Sequence, residues 1–478
     1  MTSITTRPQQ WIDIQLTSSV EGAVPWLIRP FLASEQPSIS EPGKNPGDIL
    51  VEKGENALTL WVSLGMASKL SPQVIRNAGG SAGKWLLSGN ADSVALYSQD
   101  FEAISIEEAL LLFIEGVKLG AYRFNRYKTG ENLSPRITLK IITDHNQALE
   151  EAIHKLNIVT DSVLLAREWG HEPANVINPP RLAELAQTLA HEYGLKCTIL
   201  DEKDLQEMNA GAILAVGKGS QTSPRLIILE YPGKASQKPL VLVGKALTFD
   251  SGGLSLKDTN NIQGMKYDKC GGIAVLATMV AVTRLGLEQP VIGVIGAAEN
   301  MISENAYRPD DIVSTLSGKS VEIISTDAEG RLVLADALTF VQKQFQPSAI
   351  IDLATLTGGV IVALGRVRAG LMANNDHLAQ TLLQAGKDTG ELLWQLPLDE
   401  EYDQLTKGDD ADLKNSGGRE AHPILGGIFL KQFVDDSIPW AHLDIAGMAD
   451  TPKDLPCCPK GATGFGVRLL VHFIQKLT

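Results

Sequence analysis

The sequence predicts an α/β protein of two domains, a small N-terminal α/β domain and a larger C-terminal domain whose mostly parallel or mixed sheet is flanked by helices. Its 478 residues exceed what one hydrophobic core usually supports. Over most of the chain, apolar strand-like runs alternate with helical patterns, which is typical of a parallel sheet covered by helices. The proline-rich segment 173–180 separates this region from a shorter first part.

Residues 1–145 are predicted to form the smaller domain. Ser105–Lys118 has apolar residues at helical spacing. Ser38–Asp48 contains two prolines and two glycines and is predicted to be a loop. Strands are expected where β-branched and apolar residues cluster, at Trp11–Leu16, Ala57–Gly65 and Arg136–Thr143.

Residues 146–180 are predicted to connect the domains. A helix is expected from Asn146 to about Trp169, ending before Gly170, since the prolines that follow cannot continue it. Residues 181–478 would then form the larger domain. Its strands are expected at Leu226–Glu230, Leu240–Gly244, Val291–Ala297, Ile350–Ala354 and His442–Ile445, and its helices at Gly272–Leu285, Leu332–Gln344 and Leu378–Lys387.

Composition is that of an ordinary globular protein, with 44% hydrophobic and 21% charged residues. No apolar run reaches the roughly 18 residues of a membrane span, and the N-terminus lacks the pattern of a signal peptide. The net charge of −14 disfavours nucleic acid as the main partner, because phosphate binding depends on Lys and Arg. Four cysteines without C-x-x-C spacing indicate neither a disulfide framework nor a thiolate zinc site. We therefore expect a cytoplasmic protein.

Ionisable side chains follow several apolar strands of the larger domain, where ligands bind in sheets of this kind. Taken singly, such an Asp is more often a helix N-cap and such a Lys a surface charge. If the loops converge, however, the carboxylates cannot all stay ionised without a cation, and a divalent metal would supply it. The residues are Lys245, Asp250 and Lys257 in one loop, Asp268 ahead of a helix, and Asp327 and Glu329 in a third segment.

The ligand types narrow the choice of metal. All eight histidines lie outside these loops, and no H-E-x-x-H motif is present. Carboxylates with one amine suit Zn²⁺, Mn²⁺ or Co²⁺ better than Mg²⁺ or Ca²⁺. The spacing of the residues does not distinguish among the first three ions.

The stretch Ser325–Leu332, STDAEGRL, closely resembles the NTDAEGRL signature of the leucyl aminopeptidases, or cytosol aminopeptidases, which include bacterial aminopeptidases A and B. The N-terminal domain resembles this family only loosely, through Tyr122–Lys128. Four positions, Ala246, Lys269, Cys270 and Ser325, depart from the family's pattern, and none is a proposed ligand. From about Arg167 onward further motifs occur in the family's order, at Asn175–Pro179, Val243–Lys257, Met265–Asp268, Tyr307–Pro309, Asp352–Gly358 and His442–Gly447.

The resemblance implies a dinuclear metal-dependent aminopeptidase that releases N-terminal amino acids from peptides by attack of a metal-bridging hydroxide. Lys257 and Arg331 would be catalytic, and a bicarbonate ion could bind at Arg331 as the general base. Asp250 and Glu329 would bridge the two ions. The tighter ion would be held by Lys245, Asp250, Asp268 and Glu329, and the more exchangeable one by Asp250, Asp327 and Glu329.

The resemblance also implies a mainly apolar pocket for the N-terminal side chain, with a preference for Leu, Met and similar residues. A homohexamer acting on peptides is expected, without membrane association. Two other functions are alternatives: a DNA-binding regulator on the same scaffold, and another two-metal hydrolase such as a phosphoesterase, which the lysine ligand and the lack of a His-rich site disfavour. The pocket residues would be Met265, Thr355, Gly358 and Ala446.

Overall fold

A computed structural model describes residues 4–6, 11–18, 25–33, 45–55, 57–89, 91–97, 104–129, 136–143, 147–234 and 237–477. The chain divides into two compact units. The smaller consists of Arg7–Leu164 and Thr451–Gly461, and the larger of Met1–Thr6, Leu165–Asp450 and Ala462–Thr478. The predicted two-domain α/β organisation is confirmed. The limits at 145 and 180 stay a prediction, because the helix between them contributes to both units.

The smaller unit contains a six-stranded sheet in the order β1-β6-β5-β2-β4-β3, parallel except for β3. The strands and the helix that the sequence predicted here are confirmed, whereas β2, β3, β5 and α1 were not predicted. The predicted loop lies outside the described residues except for a turn at 45–48. The elements are β1 (Ile12–Thr17), β2 (Trp26–Phe31), β3 (Ile49–Lys53), β4 (Leu58–Ser63), a 3₁₀ turn (Ala67–Lys69), α1 (Pro72–Ser88), β5 (Ser93–Tyr97), α2 (Ile106–Gly120), β6 (Ile137–Ile142) and α3 (Gln147–His171), whose last residues belong to the larger unit.

Glycines allow α1 and α2 to pack with their backbones close together. A Cβ atom added to Gly83 would lie 2.2 Å from the carbonyl oxygen of Val117, and one added to Gly116 would lie 2.0 Å from that of Arg76. Neither position leaves room for a side chain. The two helices therefore require glycine at this crossing.

The larger unit contains an eight-stranded mixed sheet in the order β15-β14-β17-β13-β9-β10-β8-β7. The predicted strands and helices of this region are confirmed. The strands are β7 (Lys196–Leu200), β8 (Arg225–Tyr231), β9 (Leu240–Asp250), β10 (Val291–Asn300), β11 (Ile312–Ser314), β12 (Ser320–Glu322), β13 (Ala349–Ala354), β14 (Ala369–Ala373), β15 (Leu393–Gln395), β16 (Leu413–Lys414) and β17 (Trp440–Asp444). Two short strands, β18 (Asp450–Thr451) and β19 (Gly461–Ala462), have one residue in each unit. The helices are α4 (Pro179–Tyr193), α5 (Glu202–Glu207), α6 (Gly211–Gly217), α7 (Thr259–Ile262), α8 (Cys270–Leu285), α9 (Gly330–Phe345), α10 (Gly358–Leu364), α11 (Asp376–Thr389), α12 (His422–Lys431) and α13 (Val467–Gln475), with 3₁₀ helices at Met265–Lys269 and Glu400–Thr406.

Four central strands, β17, β13, β9 and β10, run parallel to one another. Their carboxyl ends therefore meet at one edge of the sheet. In this register Asn300 lies opposite Asp250, and Asp444 lies opposite Ala354. The edge brings together the loops that carry the predicted site residues.

Helix α3 continues to His171, two residues beyond the predicted end, so the predicted stop before Gly170 was wrong. Gly170 remains helical and packs closely, because a Cβ there would lie 2.8 Å from that of Ala462. The prolines did mark a boundary, since α4 begins at Pro179 behind an N-cap from Asn178. Within the described residues no helix is long and apolar enough to cross a membrane.

A buried carboxylate on α9 links three segments of the larger unit. Asp336 Oδ2 accepts hydrogen bonds from the backbone N–H groups of Ala212 and Ile213, and its Oδ1 accepts one from Leu316, at 2.7–2.9 Å. We expect Asp336→Ala to lower the free energy of unfolding by about 3 kcal/mol, because buried donors would lose their acceptor. Urea denaturation measures this. A loss no larger than that of the exposed control Asp376→Ala would contradict it.

Candidate active site

Strand β9 and the loop after it carry three of the predicted residues. Lys245 lies within the strand, Asp250 ends it, and Lys257 follows a turn made by two glycines. Gly252 has a φ of +85°, and an added Cβ would lie 2.6 Å from the carbonyl oxygen of Ser255. Glycine is therefore required here, and the turn folds Lys257 back over the end of the strand.

Lys245 is buried among groups that favour its ammonium form. Its Nζ donates to Asp268 Oδ1 at 3.0 Å, Glu329 Oε1 at 2.9 Å and the carbonyl oxygen of Thr355 at 2.8 Å. Burial acts to lower the pKa of Lys245, but Asp268 and Glu329 outweigh it, so its pKa lies above the ordinary value. In this arrangement the lysine compensates two of the carboxylates.

Lys257 similarly joins two carboxylates on different loops. Its Nζ lies 2.8 Å from Asp250 Oδ2 and 2.5 Å from Asp327 Oδ1. The other oxygen of Asp250 accepts hydrogen bonds from Asn300 Nδ2 at 2.8 Å and from the N–H of Gly252 at 2.9 Å. Asp250 is thereby fixed from three directions.

Three carboxylates lie close enough to share a cation. Asp250, Asp327 and Glu329 each offer an oxygen, and these oxygens all lie within 4.8 Å of one another. Burial and repulsion from Glu329 raise the pKa of Asp250 to about 7 and that of Asp327 to about 6. Burial acts against ionisation of Glu329 too, but Lys245 and Lys257 outweigh it, and its pKa is lowered.

Two buried oxygens of this cluster accept no hydrogen bond from the described residues. They are Glu329 Oε2 and Asp268 Oδ2, of which Asp268 Oδ2 lies at ion-pair distance from Lys245 Nζ, 3.0 Å, and Glu329 Oε2 has no partner among the described residues. Buried carboxylate oxygens without donors are costly unless a cation coordinates them. The cluster, with four carboxylates and one amine, therefore fits divalent metal ions.

Arg331 lies at the start of α9, two residues after Glu329, and is 2% exposed. Its Nη1 donates to the carbonyl oxygen of Asn415 at 2.7 Å, and its guanidinium carbon lies 5.9 Å from the ring centre of Phe429. Nε has no acceptor among the described residues. Burial lowers the pKa of Arg331 to about 10, so it remains charged at neutral pH. A buried guanidinium with an unpaired donor suits a small anion.

A cavity of about 550 Å³ opens beside the cluster. All four residues predicted for the apolar pocket, Met265, Thr355, Gly358 and Ala446, line it. The predicted metal ligands and Lys257 line the same cavity, whereas Arg331 is not among the lining residues. Further apolar residues line it, namely Leu356, Ile361 and Ala449.

The positions that depart from the family's pattern lie close to the site. Lys269 is fully buried, and its Nζ donates to the carbonyl oxygens of Gly170 and Glu172 at 3.0 and 2.7 Å and to that of Lys266. Burial raises the pKa of Cys270 to about 12, so its thiol stays protonated. Ser325 Oγ accepts from the N–H of Asp327 at 3.2 Å. Lys269 and Ser325 thus bind backbone groups of segments close to the site.

The sequence did not predict which side chains support the ligands: Asn300 was not named, and Thr355 was named only for the pocket. Asn300 holds Asp250, and Thr355 Oγ1 donates to Asp268 Oδ1 at 2.6 Å. Asn300 could have been found, because it ends the apolar run that forms β10 beside β9. Asp444, which anchors the segment after β13, lies within a recognised motif but was given no role.

Comparison with known proteins assigns this site to a family. Residues 164–471 match the catalytic domain of the cytosol aminopeptidase family, and residues 51–131 match its N-terminal domain. The chain belongs to the cytosol aminopeptidase family. As a member of it, the protein is a metallo-exopeptidase of the leucyl aminopeptidase type, as the sequence predicted.

Relatives of known name match nearly the whole chain. A probable cytosol aminopeptidase of Syntrophotalea carbinolica is 42% identical over 91% of this chain and 89% of its own length. One of Geotalea uraniireducens is 43% identical over 87% and 85%. Among solved structures, the bottromycin maturation enzyme BotP in complex with Mn has a TM-score of 0.89 at 32% identity, covering 95% of this chain and 100% of its own. A mutant of tomato leucine aminopeptidase has a TM-score of 0.88 at 32% identity, covering 99% and 98%.

The raised pKa values predict how the metal-free protein responds to pH. Asp250 and Asp327 have folded-state pKa values of about 7 and about 6, above the ordinary 3.8. Their contribution to stability is therefore fully present below about pH 4 and is lost as pH rises through 6 to 7. In chelator, we expect the melting temperature of the wild type to fall more steeply between pH 5 and 8 than that of Asp250→Asn. Parallel slopes would contradict the raised pKa.

Proposed function

We propose that this protein is a dinuclear metal-dependent aminopeptidase that releases N-terminal amino acids from peptides, with Leu, Met and similar residues preferred. The observation that carries the proposal is the cluster of Asp250, Asp327 and Glu329 beside a cavity that has apolar residues in its wall. The cluster supplies charge for cations, and the cavity supplies room for one side chain of the substrate. Such a site would bind the free N-terminus of a peptide and not its interior.

Two ions would share Asp250 and Glu329. Lys245 and Asp268 would complete the tighter site, and Asp327 would complete the more exchangeable one. Lys245 can act as a ligand only as a neutral amine, so an ion there would displace its proton. The donor set suits Mn²⁺ or Zn²⁺, with Co²⁺ as a third option. One structural neighbour was solved with Mn.

When bound, the ions would polarise the scissile carbonyl and lower the pKa of water. Lys257 would stay protonated, because Asp250 and Asp327 raise its pKa in spite of burial. Its ammonium group could then hold the carbonyl oxygen of the substrate as negative charge develops on it. Arg331, through its unpaired Nε–H, would hold a bicarbonate ion that accepts a proton.

Specificity would come from the walls of the cavity. Met265, Ile361, Ala446 and Ala449 offer apolar surface to the first side chain of the substrate. A pocket of this kind discriminates by only about 1–3 kcal/mol per methylene group. The enzyme would therefore prefer Leu and Met while accepting other apolar residues. By the same resemblance we propose a homohexamer that works in the cytoplasm.

Hydrolysis of L-leucine p-nitroanilide tests the function. Chelator-stripped protein should be inactive, and Mn²⁺, Zn²⁺ or Co²⁺ should restore cleavage, because the site requires the ions. The N-acetylated substrate should resist cleavage, because its α-amine is blocked. Glu329→Ala should lose activity with every metal, since both ions share this ligand. Cleavage by the stripped protein, or near-normal turnover by Glu329→Ala, would refute the assignment.

A second experiment separates Arg331 from the metal ligands. We expect Arg331→Ala to bind two metal ions per chain but to lose roughly 10²-fold in kcat, the size of a general-base contribution. Added bicarbonate should partly restore the rate. Arg331→Lys keeps the positive charge but lacks the planar guanidinium group. Added bicarbonate should therefore not bring its rate up to that of the wild type at saturating bicarbonate. Metal analysis by mass spectrometry is the control, and loss of both ions from Arg331→Ala would show a structural role.

A further inference from the structure

The segment after β13, Thr355–Gly358, forms part of the cavity wall and is tied to the metal cluster. All four of its residues line the cavity. Its first carbonyl oxygen accepts from Lys245 Nζ at 2.8 Å, and the Thr355 hydroxyl donates to Asp268 at 2.6 Å. The position of this segment, called here the wall segment, therefore affects both the pocket and two proposed ligands.

Asp444 supports the wall segment from beneath. It is fully buried at the end of β17. Its Oδ2 accepts from Thr357 Oγ1 at 2.6 Å. Its Oδ1 accepts from the backbone N–H groups of Leu356 at 3.1 Å and Thr357 at 3.4 Å. Its charge also acts on Arg331, since Glu329 and Asp444 both oppose the lowering of the Arg331 pKa by burial, but all the hydrogen bonds of Asp444 named here go to the cavity wall.

The same carboxylate also holds a second part of the cavity wall, at the end of the neighbouring strand β17. Oδ1 accepts from the N–H of Ala446 at 3.3 Å, and Ala446 lines the cavity as well. The strands reinforce this connection, because Ile445 N–H donates to the carbonyl oxygen of Ala354 at 2.8 Å. One buried carboxylate thus fixes the spacing between two neighbouring parts of the pocket wall.

We infer that Asp444 is a positioning residue that sets the width of the substrate pocket and so the discrimination between large and small N-terminal side chains. The inference rests on the proposed function. Asp444 reaches the substrate only through backbone groups, so it takes no direct part in the reaction. A carboxylate suits this role because its two oxygens together accept from four donors, which an amide cannot do.

Asp444→Asn tests the inference, with Asp336→Asn as a matched control. Both replace a buried carboxylate that accepts several backbone N–H bonds, but Asp336 lies away from the cavity lining. The measurement is the ratio of kcat/KM for the p-nitroanilides of L-leucine and L-alanine, with melting temperatures in parallel. We expect this ratio to fall about tenfold in Asp444→Asn, since small displacements in a pocket cost rate steeply. It should stay unchanged in Asp336→Asn.

A conservative pair of variants provides the same test if Asp444→Asn does not fold. Thr357→Val removes the shortest hydrogen bond to Asp444 and should lower the leucine-to-alanine ratio of kcat/KM. Thr357→Ser keeps the hydroxyl group and should have the ratio of the wild type. Equal loss of stability in both Asn variants with an unchanged ratio would overturn the inference and leave the proposed function intact. A wild type that cleaves neither substrate with any metal would overturn both.

Discussion

The compensation of charge in a buried carboxylate cluster is the constraint on which the rest of this site depends. Asp250, Asp268 and Glu329 are each 6% exposed or less, and Asp327 lies beside them. Ionised carboxylates this close repel one another, and burial removes much of the water that would otherwise solvate their charges. Lys245 and Lys257 supply part of the positive charge that balances these carboxylates. Glu329 Oε2, which accepts no hydrogen bond from the described residues, indicates the part that a divalent cation would supply.

This compensation explains why different roles are proposed for the two lysines although both contact two carboxylates. Lys245 lies within a strand, is almost fully buried and bonds to three acceptors, so a cation at Asp268 and Glu329 must compete with its ammonium group. Lys257 sits on a turn, is 15% exposed, and faces the cavity. The strand position favours a ligand, and the turn position favours a group that meets the substrate.

Much of this organisation was predictable from the sequence. Alternating runs indicated the mixed sheet, and the residues after β9 and before α8 and α9 were assigned to one site because parallel strands end at one edge. The smaller unit was harder to predict: β2 contains Pro30, which argues against a strand, and α1 contains several glycines, whose use appears only in its packing with α2. The supporting residues were missed because a hydrogen bond between distant loops has no local signal.

The sheet shows why supporting residues occur where they do. Its two innermost strands, β9 and β13, end in the segments that carry Asp250 and the wall segment. The strands outside them, β10 and β17, end in Asn300 and Asp444, which lie opposite Asp250 and Ala354 in register. Each inner strand therefore has a neighbour whose last residue binds the inner strand's loop. Backbone hydrogen bonds fix this register. The sheet therefore positions the side chains of the site, and the loops supply further functional groups.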